Sequence, residues 1–307
     1  MHYPLIHARS SVFVSAIAAC ALALHTTDVV AQIPLPTPTG EFDYQIGGRY
    51  EPAEDVSVVS RDPKIDLSQP LKIRGSTTPR DQDLYRICYL NALQTQDDDY
   101  DWWMDNHPEL ILMDDDGEPV HDPDPEWAGE MLFDVSTPEK RAQLLLLQGD
   151  WITNCKRQGY RAIEPDNIDS YTRSQGRLSA ADVQAYMLDF VEAAHLQNLA
   201  VAQKNAVEWI AEGRASAIGF DFAIVEECQL TRECEAPILH YGAENVFEIE
   251  YWYDEEDDSS GVTIPAHSRE HFDEACYERG DSIRIVIRNR DARASDEYGW
   301  YRDICED

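Results

Sequence analysis

The segment RAIEPDNIDSY, Arg161 to Tyr171, starts as a strand and ends in a cluster of acids. Arg161 to Glu164 follows Gly159, which breaks the preceding helix, and reads as a short buried strand. Glu164, Asp166 and Asp169 then fall within six positions, beside Pro165 and Asn167. Carboxylates are costly to bury without partners, so three at the end of an apolar strand point to a working site rather than to packing. The bland alternative is a solvated acidic turn in a very acidic chain.

Outward from this segment, short apolar runs alternate with helical or loop stretches, the pattern of βα units and a parallel sheet. The strands expected are FDYQIGG (42–48), YRICYLNAL (85–93), MLFDVS (131–136), RAIE (161–164), LAVAQKN (199–205), FDFAIVE (220–226), NVFEIEYW (245–252) and DSIRIVIRN (281–289). Val56 to Val59 is set aside as an irregular excursion, because Arg61-Asp62-Pro63 follows it. Ser136-Thr137-Pro138-Glu139 reads as a capping box opening a helix to about Arg157, Ser179 caps a second helix and Ser268 opens a third. Eight repeats around one core predict a single-domain α/β fold, a (β/α)8 TIM barrel, with its site at the C-terminal strand ends. A doubly wound open sheet is the runner-up, but Gly47-Gly48 is a poor phosphate-binding turn.

The barrel is expected over residues 42–307, after a signal peptide (1–31) and a Pro/Thr linker (32–41). Arg9, the apolar run Val12 to Leu24 and the small residues before Ala31 point to secretion, with lipid anchoring through Cys20 as the alternative. Beyond Cys20 the chain has six cysteines, Cys88, Cys155, Cys228, Cys234, Cys276 and Cys305. An even count in an exported protein predicts three disulfides, and Cys228 and Cys234 are spaced to staple one loop. The formal net charge of -34 excludes nucleic acid and anionic membranes as partners. It leaves a polycationic ligand, or an adaptation to solubility or salt. No later stretch is long enough to span a membrane, and a monomer is expected.

Two carboxyl groups facing each other across a sugar-sized gap are the minimum for cleaving a glycosidic bond. Asp166 supplies one, and Glu226 or Glu227 the other. Gln45, Tyr89, Asn91, Gln94, Asp134, Asn167, Asp169, Tyr171, Lys204, Asn205, Tyr251, Arg290 and Asp291 stand at or near other strand ends, as candidates to stack on and hydrogen-bond a sugar. Lys204 has two readings: a charge that tunes the carboxylates, or an ion pair with Glu164 in the barrel floor. No GxSxG, HExxH or phosphate loop is found, the histidines lack ligand spacing, and Asp114 to Gly117 lacks the remaining ligands of a calcium loop. No metal and no cofactor are therefore expected.

FDYQIGG, VSRD (Val59 to Asp62), ICYLNALQTQ, EPDNIDSY, AVAQKNA and DFAIVEEC, in this order, resemble the endo-α-1,4-polygalactosaminidases of glycoside hydrolase family 114. The resemblance runs from about Phe42 to Asp291. It implies a TIM-barrel enzyme, exported, that cuts α-1,4-linked galactosamine polymers internally with retention of configuration. Carried over, Asp166 is the nucleophile and Glu226 the acid/base. The family often has an Asn before that glutamate; Val225 stands there, so Glu227 stays open as second choice. Trp102, Trp103 and Trp127, in a long acidic insertion, read either as sugar platforms or as packing for the loop. A carbohydrate-binding pseudoenzyme barrel and a metal-dependent deacetylase are the readings from other classes.

Overall fold

Alternate residues along each strand point into one common core, and that alternation generates the site. In the computed structural model, residues 33–37, 39–64, 83–252 and 268–305 are described. The export signal and Cys20 lie outside them. Ile33–Asp307 forms one compact unit.

Eight parallel strands follow one another in chain order: β1 (Glu41–Gln45), β2 (Val56–Arg61), β3 (Tyr85–Asn91), β4 (Ala162–Asp166), β5 (Ala200–Lys204), β6 (Phe222–Glu226), β7 (Val246–Trp252) and β8 (Arg284–Asn289). A short β9 (Arg302–Ile304) pairs antiparallel with β8, and its Arg302 Nε reaches Asp43 of β1 at 3.0 Å across the seam. The result is a nearly closed barrel with helices outside it, as the strand count implies. A Cβ on Gly47 would lie 1.8 Å from the Asp291 carbonyl oxygen and one on Gly48 2.5 Å from Ala294 Cβ. The two glycines thus let the end of β1 and the loop after β8 touch at the mouth.

Phe42, Val58, Ile87, Ala162, Ala202, Phe222, Ile224, Phe247, Ile249 and Val286 form the barrel interior. The residues between them pack outward: Cys88, Ile163 and Val201 meet the helices Pro138–Arg157 and Ala180–Leu196. Ile285 and Ile287 meet Phe272 and Ala275 of the helix Ser268–Arg279. The described part of the Pro/Thr stretch is tied to the strand starts, where Tyr85 Oη donates to the Pro34 carbonyl at 2.6 Å.

Two strand assignments change. Val56–Arg61 is β2, paired with both β1 and β3, and its Arg61 is buried with Nε on Gln45 Oε1 at 2.8 Å. Met131–Ser136 is outside the barrel sheet. Its apolar residues are buried beneath the insertion, where Met131, Leu132 and Phe133 make isolated antiparallel bridges to His121, Gln94 and Ile111. Both segments are buried almost throughout, so an apolar pattern could not tell them apart. At the helix starts, Thr137 rather than Ser136 caps the first, accepting from Lys140 N at 3.3 Å. The reciprocal box is at Ser179 and Asp182.

Three disulfides staple the fold: Cys88–Cys155, Cys228–Cys234 and Cys276–Cys305. The first ties β3 to the helix Pro138–Arg157 and the third ties the last helix to the residue just past the strand that closes the seam. Among the described residues, no helix is long and apolar enough to cross a membrane.

The outer face of β7 carries two buried acids. Glu248 is neutralised by Arg279, Nη2 to Oε1 at 2.6 Å and Nε to Oε2 at 2.8 Å. Glu250 accepts the Gln229 backbone N–H at 3.1 Å and lies against Glu248. Burial, with the charge of Glu248, pushes its carboxyl up to about 9 from 4.5. A carboxyl raised in the fold favours folding fully below its free value, and loses that contribution as pH climbs from 4.5 to about 9. Glu250→Gln is therefore expected to raise stability by roughly 1–3 kcal/mol at pH 8 and to leave it nearly unchanged at pH 4. Urea unfolding at the two pH values checks this; an equal effect at both would show that Glu250 does not titrate there.

Candidate active site

The pleat carries the interior alternation up to the barrel mouth. On β4, Ala162 faces inward, so Glu164 and Asp166 do too; on β5, Ala200 and Ala202 lead to Lys204; on β6, Phe222 and Ile224 lead to Glu226. Three acids from two strands thereby converge on one amine. Lys204 Nζ lies 3.0 Å from Glu164 Oε1, 3.5 Å from Asp166 Oδ1 and 3.3 Å from Glu226 Oε2. It also donates to Tyr44 Oη at 3.1 Å.

Each acid has its own partners. Glu164 is fully buried and accepts from Tyr44 Oη at 3.2 Å and from Ser60 Oγ. Burial raises its carboxyl above the ordinary range against the pull of Lys204. Asp166 accepts from Tyr89 Oη at 2.7 Å and from the Asn167 N–H at 2.9 Å. Burial pushes Asp166 upward, but Lys204, Tyr89 and the Asn167 amide together hold it below the usual carboxylate range, so it stays ionised. Burial would lower Lys204, yet the charges of Asp166, Glu226 and Glu164 lift it well above an ordinary lysine. Glu226 accepts from Asn205 Nδ2 at 2.8 Å and from Tyr251 Oη. Asn205 Oδ1 in turn accepts the Glu226 backbone N–H at 2.9 Å, so one side chain just past β5 fixes both ends of Glu226.

Above these acids opens a cleft of about 610 Å³. Its wall on the β3–β4 side is polar and cross-linked. Arg173 contacts Asp122 at 2.9 Å, Asp169 at 2.8 Å, Asn167 Oδ1 at 2.5 Å and Gln94 Oε1 at 3.1 Å. On the β8 side, Arg290 reaches Asp124 at 2.9 Å and Glu126 at 2.7 Å, tying the insertion to the loop after β8. Paired carboxylates meeting across a sugar-sized gap at the C-terminal ends of barrel strands are the equipment of a glycosidase.

The sequence matches the glycoside-hydrolase family GH114 over residues 25–306. The chain belongs to glycoside hydrolase family 114. No curated protein matches it. Among solved structures, it resembles Aspergillus fumigatus Ega3 in complex with galactosamine, at 18% identity and TM-score 0.62, covering 88% of this chain and 96% of that one. It also resembles the glycoside hydrolase domain of PelA from Pseudomonas aeruginosa, at 13% identity and TM-score 0.53, covering 84% and 97%. At these identities the likeness establishes the TIM-barrel fold alone, while the family match makes the chain a glycoside hydrolase.

In this family 114 hydrolase, Tyr89, Gln94, Asp166, Asn167, Asp169, Lys204, Asn205, Glu226, Glu227, Tyr251, Arg290 and Asp291 all line the cleft. Four other expected sugar contacts do not. Gln45 is buried in the floor on Asp43 and Arg61. Asn91 lies beneath the wall, holding Glu130 and Asn167. Asp134 pairs with Lys140 and Ser136 at the start of a helix. Tyr171 stacks on Trp209 and donates to Glu208 at 2.6 Å. Glu227, just past the last β6 residue, has left-handed backbone (φ 51°) and stands on the rim, whereas Glu226 faces Lys204. Of the tryptophans, Trp103 is buried against Phe133 and Trp151, Trp102 packs on Trp103 and His107, and only Trp127 lines the cleft. Asp114 accepts the Asp116 and Glu118 amides as a turn cap. Asp62, Asp122, Asp124, Glu130 and Arg173 also line the cleft without having been singled out. The one sequence signal for Arg173 was its i+4 spacing from Asp169.

Proposed function

We propose that this hydrolase is exported and cuts α-1,4-linked galactosamine polymers internally, with Asp166 as nucleophile and Glu226 as acid/base. The observation that carries this reading is the shared ammonium. Asp166 and Glu226 both touch Lys204 Nζ, so their facing oxygens are separated by no more than the sum of 3.5 and 3.3 Å. That spacing accommodates the roughly 5–5.5 Å of a retaining pair.

In the first step Glu226 gives a proton to the departing glycosidic oxygen while Asp166 attacks the anomeric carbon, forming a glycosyl ester and releasing the chain beyond it. In the second, Glu226 takes a proton from water, the water oxygen bonds to the anomeric carbon and the ester bond to Asp166 breaks. An ionised Asp166 suits the attack. Lys204 holds both acids in place, and Tyr251 and Asn205 aim Glu226. A cleft with acids along its walls, in a chain of net charge -34, favours a cationic chain.

The test is to incubate the protein with a galactosamine polymer, size the products by mass and follow the anomer first released by proton NMR. Oligomers of mixed length and an α-anomer are expected. Single sugars only would remove the internal cutting, and a β-anomer would remove retention. Tight binding without any products would favour a carbohydrate-binding barrel.

A further inference from the structure

We propose that Glu130 is the specificity-determining carboxylate that reads the amino group of the sugar held beside Asp166. This deepens, and rests on, the amino-sugar reading of the cleft. Glu130 is 8% exposed and lines the cleft from the insertion. Asn91 Nδ2 donates to it at 3.1 Å and Gln94 Nε2 at 2.9 Å, both on Oε2. Among the described residues, its Oε1 receives no hydrogen bond.

The rest of this wall is neutralised differently. Asp122 and Asp169 share Arg173, and Asp124 has Arg290. Lys204 is committed to Glu164, Asp166 and Glu226. Glu130 alone in this set is met by two neutral amides and no cation. A carboxylate so buried is short of one positive charge, and a ligand ammonium supplies it together with N–H donors for Oε1. A hydroxyl or an acetamide at the same sugar carbon supplies a donor but no charge.

Its place next to the chemistry is fixed by β3. Asn91 is in register with Asp166, and its Oδ1 accepts from Asn167 Nδ2 at 2.7 Å while its amide holds Glu130. Burial pushes the Glu130 carboxyl up to about 7 against the two amides, with Asp166 and Asp122 adding to the rise. Near neutral pH the group is therefore only partly protonated, and an arriving ammonium displaces that proton into solvent.

Glu130→Gln keeps the size of the side chain and an oxygen for both amides. The ratio of kcat/KM on galactosamine oligomers to that on N-acetylgalactosamine oligomers is expected to fall roughly 10- to 100-fold, the loss from removing one partner of a desolvated charge pair. Calorimetry in an Asp166→Asn background reads binding separately: galactosamine should weaken on adding Glu130→Gln while N-acetylgalactosamine does not. An unchanged ratio, or equal losses on both sugars, overturns the role of Glu130 and leaves the function standing. A native enzyme that cuts only N-acetylated or neutral chains overturns the amino-sugar reading, and this inference with it.

Discussion

Replacing Asp166 by Asn is expected to lower kcat on a galactosamine polymer by roughly 10⁴- to 10⁶-fold, the scale on which enzymes lose a covalent nucleophile. The amide is nearly isosteric: its one oxygen can keep the bond from the Asn167 N–H while its NH2 donates to Tyr89 Oη, so the fold and the cleft survive. It cannot form the ester. Loss of reducing-end release at unchanged KM, with polymer binding retained, is the expected pattern. A loss below about tenfold would show that another group attacks. Glu226→Gln separates the roles further. It should cripple substrates with poor leaving groups, and much less so an aryl glycoside whose phenolate departs without a proton.

The second large effect falls on Lys204, which is buried at 1% exposure among three acids. Lys204→Met removes the only cation that, among the described residues, pairs with Glu164, and leaves that fully buried carboxyl uncompensated. Breaking a buried pair from one side costs about 3–5 kcal/mol, and activity should vanish as Asp166 loses the charge that keeps it ionised. Lys204→Arg restores the charge but not the fit of a compact ammonium between three carboxylates. The double variant Lys204→Met with Glu164→Gln is the discriminating one. It should recover much of the stability, measured by denaturant unfolding, and none of the turnover. Recovery of both would make Lys204 a structural floor residue only.

Before any coordinates, the chain already disclosed most of its strands, all six bonded cysteines, the Cys228–Cys234 staple and the placing of Asp166, Lys204 and Glu226 at strand ends. These are local facts. Period-two apolar patterning and caps report on a residue's own neighbourhood, so they survive reading in one dimension. Where two segments shared the same pattern, the reading exchanged them: Val56–Arg61 entered the barrel and Met131–Ser136 went beneath the insertion. An apolar run records that a segment is covered, not what covers it.

Tertiary structure decided which side chains meet. The pleat aims Glu226 rather than Glu227 at Lys204, because Phe222 and Ile224 set the inward face of β6. Asn205, twenty-one residues upstream, grips Glu226 in a way that Val225 beside it gave no means to foresee. The acids of the wall, Asp122 and Glu130, and the Arg173 that cross-links it arrive from an insertion and a post-strand turn whose local sequence reads only as polar. Burial and partnership create a working site from such residues, and both are sums over chain segments distant in sequence.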